Sequence, residues 1–307
     1  MIESLTSVTL YDKRELYYKL IICVELDGET IILDLTGDSL SGLNELFVKY
    51  EQMPTRAEFD YGFEYPFNAN QQLLLPDVQP GTYYIMAYGL SISSAQQDIT
   101  LLARVIDYEI LSVSPNKGTQ NTQVTVKVRG SKLGGTVTAR LRNSYPWFER
   151  VSSSVFQYND NLMYITFDLT DVPVDTYAID LIKADSSLAF VSDFMVLADG
   201  GNADLEINAQ LPGAVTTRGV VVPIVLTYIN NGDADYINPS VIIDAPFGNI
   251  ISYTLEDLRN GIGEAQLIVP LNEENGPAGI LRPGASGRIQ IFANSSPTAV
   301  YGVRKNE

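Results

Sequence analysis

Short runs rich in Val, Ile, Thr, Tyr and Phe recur along the chain every 8–15 residues, and Gly, Pro, Asn and Asp bound them. This spacing suits stacked antiparallel sheets and not the strand–helix–strand units of a parallel sheet. It predicts strands over 16–25, 30–35, 45–50, 57–63, 71–75, 82–88 and 98–106 in the first third. The middle third gives 109–113, 123–129, 137–142, 153–158, 163–169, 176–182 and 191–197. The last third gives 204–210, 220–230, 240–244, 265–269 and 287–293, with one helical turn expected at 255–260.

Seven, seven and at least five strands suit three sandwiches, over 1–107, 108–199 and 200–307. The first joint is short, because the strand at 109–113 runs straight into Pro115-Asn116-Lys117-Gly118. The clearest joint is the small, polar, glycine-rich Ala198-Asp199-Gly200-Gly201-Asn202. A partial echo joins the first two units. Leu75-Pro76-Asp77-Val78 precedes Gly81-Thr82-Tyr83, and Leu169-Thr170-Asp171-Val172 precedes Asp175-Thr176-Tyr177. Both read as a corner whose tyrosine buries its ring and returns its hydroxyl to the backbone.

Composition then removes chemistry. The chain has no histidine and one cysteine. The commonest general base and the commonest metal ligand are missing, and no intrachain disulfide or thiolate zinc site can form. Cys23, inside 16–25, is expected as an inert thiol buried in a strand. Net charge is −17, divided −10, −2 and −5 over the three segments. That field repels phosphate backbones and excludes nucleic acid as a partner. Apolar runs such as 20–24 and 220–225 are too short to insert in a membrane. The opening Met1-Ile2-Glu3-Ser4 is not a signal peptide, so the chain is either cytosolic or part of a longer secreted protein.

Three resemblances bear on that choice. Leu46-Phe47-Val48-Lys49-Tyr50, Met53-Pro54-Thr55-Arg56, Phe59-Asp60-Tyr61 and Pro80-Gly81-Thr82-Tyr83-Tyr84-Ile85 resemble, in this order, the bacterial pre-peptidase C-terminal (PPC) domain. That resemblance implies a non-catalytic jelly-roll-like sandwich carried by secreted enzymes and surface proteins. Ser112-Val113-Ser114-Pro115-Asn116-Lys117-Gly118, then Val124-Thr125-Val126 and Gly130-Ser131-Lys132-Leu133, are similar to the TIG/IPT immunoglobulin-like family. Asp175 stands where that family usually has glycine. Asp204-Leu205-Glu206-Ile207, Thr227-Tyr228-Ile229-Asn230-Asn231-Gly232 and Leu281-Arg282-Pro283-Gly284 are similar to CARDB-like adhesion-type domains. Together they imply an all-β array, one jelly-roll-like sandwich followed by two immunoglobulin-like ones, within a longer extracellular or cell-surface bacterial protein.

Candidate binding residues are aromatic. Phe59, Tyr61, Phe63, Tyr65 and Phe67 alternate with other residues and share one face at strand period. That face is either buried or a stacking platform for a sugar or peptide. Pro66 ends the strand, which makes Tyr65 and Phe67 the candidates for exposure. Tyr145, Trp147 and Phe148, in a loop with Pro146, either fold over the core or anchor an interface. Asp233 and Asp235 beside Asn230-Asn231-Gly232, and Asn159-Asp160-Asn161, read as turns, with weak Ca²⁺ binding the alternative. Lys19, Lys127 and Lys183 fall within strands and snorkel to the sheet edge, the alternative being isopeptide crosslinks. Asn294-Ser295-Ser296 is the lone glycosylation sequon.

The expectation is a non-catalytic structural or adhesive segment, with no cofactor and no metal site. Its partners are protein or polysaccharide at the cell surface, or neighbouring copies of itself. The alternative is a substrate-binding accessory region of a secreted hydrolase.

Overall fold

The computed structural model describes residues 3–38, 42–63, 65–198, 201–210, 220–295 and 300–306. The chain divides into two compact units, Met1–Glu109 and Ile110–Glu307. It is all-β. Among the described residues the one α-helix is α1 (Leu255–Arg259), which Thr254 caps by accepting from the Asp257 N–H.

The first unit holds β1 (Glu3–Tyr11), β2 (Glu15–Ile22), β3 (Thr30–Thr36), β4 (Gly42–Tyr50), β5 (Tyr61–Gly62), β6 (Gln71–Leu75), β7 (Gly81–Ile92) and β8 (Gln96–Ile106). Its sheets run β1-β8-β3-β6 and β2-β7-β4-β5. First strand pairs with last, second with seventh, third with sixth and fourth with fifth. A long hairpin rolled so that alternate pairs fall in opposite sheets gives this order, which is the jelly roll. Leu33, Leu35, Leu46, Val48, Leu73, Ile85 and Ile99 fill the space between the sheets.

Two expectations fail here. The strand drawn over 16–25 stops at Ile22, and Cys23 is exposed. Leu26 N–H and Asp27 N–H bond back to Cys23 O and Val24 O, closing a 3-10 turn where the strand was expected to run on. The strand over 57–63 shrinks to β5, because the Thr55 hydroxyl accepts from Ala57 and Glu58 N–H and curls the chain. Phe59, Tyr61, Phe63, Tyr65 and Phe67 therefore share no strand face. Phe59 and Phe63 instead pack on Phe47, centroids 4.8 and 5.4 Å away.

The second unit begins with β9 (Glu109–Ser114), β10 (Lys117–Thr119), β11 (Gln123–Ser131), β12 (Val137–Ser144), β13 (Trp147–Val151), β14 (Ser154–Asn159), β15 (Leu162–Asp168), β16 (Asp175–Lys183) and β17 (Leu188–Leu197). Their sheets, β10-β17-β16-β12-β13 and β14-β15-β11-β9, have the immunoglobulin strand order. Tyr177 at the start of β16 is buried and its hydroxyl donates to Pro173 O at 2.7 Å. In the first unit the Tyr83 hydroxyl accepts from Gln79 N–H at 3.1 Å. Both expected tyrosine corners are present.

The unit continues with β18 (Leu205–Gln210), β19 (Val220–Asn230), β20 (Tyr236–Ile237), β21 (Ser240–Asp244), β22 (Ile251–Ser252), β23 (Gln266–Pro270), β24 (Ile280–Leu281), β25 (Ser286–Ser295) and β26 (Gly302–Lys305). Sheets β18-β19-β25-β22 and β23-β21-β26 enclose Leu226, Tyr228, Val241, Ile243, Val269 and Ile291.

These strands dock on the β11 sheet. Val124, Val126 and Val128 face the sandwich interior, and Thr125 on the opposite face is just as buried. The cover is Asp235, whose carboxylate accepts from Thr125 N–H at 2.8 Å and Thr125 Oγ1 at 2.6 Å, while its own N–H donates to Gln123 O. Arg282 holds Glu273 through two bonds of 2.6 and 2.7 Å and reaches Ser114 O at 3.1 Å. Lys127 lies 3.8 Å from the same Glu273. Asp235 is thus not a turn residue but the anchor between two sheet pairs. Of the expected joint, Asp199 and Gly200 lie outside the described residues.

Candidate functional site

The outer face of the five-stranded sheet begins with the alternation of β12. Ala139 and Leu141 enter the core, so Thr138, Arg140, Arg142 and Ser144 point outward. Register sets the rest. Phe190, Asp180, Arg140 and Val151 stand in one row across β17, β16, β12 and β13. Ala178, Arg142 and Glu149 form the next row, and Ser144 and Trp147 the one beyond.

Asp180 lies at the centre with its side chain wholly covered. It accepts from Arg140 Nε at 3.0 Å, Arg142 Nε at 2.7 Å and Arg142 Nη2 at 3.1 Å. Arg140 Nη1 also donates to Glu149 at 2.9 Å. Hydrogen bonds to the Asp180 carboxylate push the Arg142 guanidinium above its ordinary pKa. Two guanidinium and two carboxylate charges therefore cancel within the face, and carboxylates orient both guanidinium groups, with Arg142 Nη1 donating to Ser144 Oγ at 3.2 Å. Around this cluster Trp147 (68%), Phe190 (57%), Val151 (52%) and Leu188 (48%) stand exposed. Large apolar side chains around a rigid arginine cluster are the composition of an interface core, rich in aromatics and arginine.

Sequence reasoning reaches part of this face. Trp147 is on it, but as the first residue of β13, since Asn143–Phe148 and Ser144–Trp147 pair where a loop was expected. Tyr145 projects from the hairpin tip, 93% exposed. Phe148 turns the other way by alternation and packs on Tyr177, centroids 5.6 Å apart. Tyr65 and Phe67 belong to the first unit. Phe67 is 77% exposed at a φ of 60°, Tyr65 is exposed to a lesser degree, and Glu64 between the rings of this segment lies outside the described residues. Phe190, Leu188, Val151 and the Arg140–Asp180–Arg142 cluster escaped notice. Their signal was present as charges at like parity within two strands, Arg140-Leu141-Arg142 and Ile179-Asp180-Leu181.

The remaining candidates serve structure. Lys19 lies over the Tyr84 ring, and Lys183 donates to Lys132 O. In the 159–161 turn the Asn161 N–H donates to Asn159 Oδ1. Among the described residues no group of three or more acidic or cysteine side chains is placed to hold a metal ion. The Asn294 Oδ1 accepts from Ile250 N–H, while Ser296 of the sequon lies outside the described residues. No described helix is long and apolar enough to cross a membrane.

No family model matches the chain, and no curated protein does. Among the solved structures it is similar to is that of Dpr11 IG1 bound to DIP-gamma IG+IG2, with 12% identity, 65% of this chain and 98% of that chain covered, and a TM-score of 0.20. At so low an identity and score, function has to be argued from the geometry.

Proposed function

We propose that this chain is a non-catalytic adhesive segment of a larger extracellular bacterial protein, and that the outer face of the β10-β17-β16-β12-β13 sheet docks a second copy of the same chain. The jelly-roll strand order of the first unit and the immunoglobulin order of the second support the reading of PPC-like, TIG/IPT-like and CARDB-like modules in series.

The observation that carries the docking is charge cancellation under an exposed apolar rim. Two chains of net charge −17 repel wherever their acidic surfaces meet. The Arg140–Asp180–Arg142–Glu149 cluster is neutral, so close approach costs least there, and Trp147, Phe190, Val151 and Leu188 gain by burial. About a two-fold axis the same patch serves both copies, so this one face suffices for the contact.

Sedimentation equilibrium of the whole chain from about 1 µM to about 1 mM tests this, a range that covers weak association. The mass should rise toward that of a dimer, further at high salt because repulsion is screened. Trp147→Ala with Phe190→Ala should hold it at the monomer. A monomer mass throughout, or dimerisation that survives both substitutions, rejects the reading.

A further inference from the structure

A second surface lies on the outer face of β18, β19 and β25, in the last sheet pair. It is a depression of about 490 Å³, within the usual range of small-molecule sites. Its floor is β19, through Thr227 and Ile229. β18 gives one wall, Glu206 and Asn208, and β25 the other, Ser286 and Arg288. Register puts Asn208, Thr227 and Arg288 in one row, and Glu206, Ile229 and Ser286 in the next. The residues between them, Leu226 and Tyr228, point into the core and hold the floor still.

The chemistry of this lining is specific. Thr227 and Ser286 each offer a hydroxyl that donates and accepts, Asn208 an amide that does both, and Arg288 up to five donors. Asn231 Nδ2 holds the Glu206 carboxylate at 2.7 Å, which fixes an acceptor at one end. Arg288 makes no ion pair or hydrogen bond among the described residues, so its donors face the groove unclaimed. Ile229 leaves an apolar strip between the polar walls.

We propose that this groove binds a neutral glycan chain. Sugar hydroxyls both donate and accept, as the walls do, and the C–H face of a pyranose ring fits the Ile229 strip. The chain's net charge of −17 disfavours a polyanionic glycan, and the groove's one carboxylate and one guanidinium cancel. The site is distinct from the docking face, and it gives the segment a polysaccharide to hold as well as a partner chain.

The test is an NMR titration of the whole chain with neutral gluco-, manno-, galacto- and N-acetylhexosamine oligosaccharides, beside an oligogalacturonate. At least one neutral oligosaccharide should bind saturably, shifting the amides of Asn208, Thr227 and Arg288. Arg288→Ala and Asn208→Ala should each weaken binding about tenfold, the loss of one well-made hydrogen bond. Both are exposed positions, so unchanged melting temperatures will show that the variants fold. Trp147→Ala should leave glycan binding unaltered, which separates this site from the docking face. The proposal falls if nothing in the neutral panel saturates, if only the oligogalacturonate binds, or if binding survives both groove substitutions.

Discussion

Replacing Asp235 by Ala should uncouple the two sheet pairs of the second unit. Asp235 is 8% exposed and Thr125 fully buried. The substitution removes two hydrogen bonds to a charged acceptor, each worth about 1.5–3 kcal/mol, and leaves the Thr125 N–H buried without a partner. The Thr125 hydroxyl keeps Thr166 Oγ1 at 2.9 Å. Part of the gain is cancelled, because burial pushes the Asp235 carboxyl above its ordinary pKa and so penalises its ionised form. A net loss of about 2 kcal/mol follows, or about 4–8 °C in a unit of this size. Asp235→Asn should lose less, since an amide oxygen still accepts from the Thr125 N–H. Asp235 binds its proton more tightly folded than unfolded. Its contribution is therefore full below the ordinary value of 3.8 and declines as pH rises through the raised one. Thr125, Gln123 and Arg282 around it pull the other way, but burial outweighs them, so wild type should gain on the Asn variant as pH falls across that window. The assay is thermal unfolding followed by fluorescence of Trp147, the only tryptophan, which lies on the β13 edge far along the chain from Asp235. A Trp147 transition unmoved in the Ala variant, or equal losses for Ala and Asn, would refute the anchor.

Four further outcomes are expected. Cys23 should react with a thiol reagent in the native protein at one equivalent; reaction only after denaturation would return it to the core. Phe148→Ala should cost about 2–3 kcal/mol in denaturant unfolding while Trp147→Ala costs under about 0.5 kcal/mol, the contrast between a ring on Tyr177 and a ring in water. Tyr177→Phe should cost about 1 kcal/mol by losing the bond to Pro173 O, and no change in chemical denaturation would deny the corner. Burial, with Glu273 nearby, pushes Tyr164 up to about 12, so in a spectrophotometric titration of the native chain its phenol should ionise well above the ordinary value of 10.0.

The sequence by itself determined the β class and most strand positions. The strands expected at 71–75, 220–230 and 240–244 are found with those bounds, because alternating or unbroken apolar runs closed by turn residues leave little freedom. Both tyrosine corners were legible for the same local reason, a short fixed spacing between a corner and a ring. What lay on short or polar strands was not legible. β1 carries Ser and Thr at its apolar-period positions, and β13 has only five residues, two of them charged. Cys23 misled because an apolar run looks the same whether the strand continues or closes into a turn.

The candidate surfaces were decided by tertiary structure. Trp147 could be named from the chain, but not the face it shares with Phe190, 43 positions on, since register between β12, β16 and β17 alone brings them together. Asp235 read as a turn residue because Asn-Gly-Asp is a local pattern. Its role depends on Thr125, 110 residues earlier, and on a docking that no local pattern encodes. Strand and corner follow from interactions within a few residues; face, groove and anchor follow from register and packing, which join residues far apart in the chain.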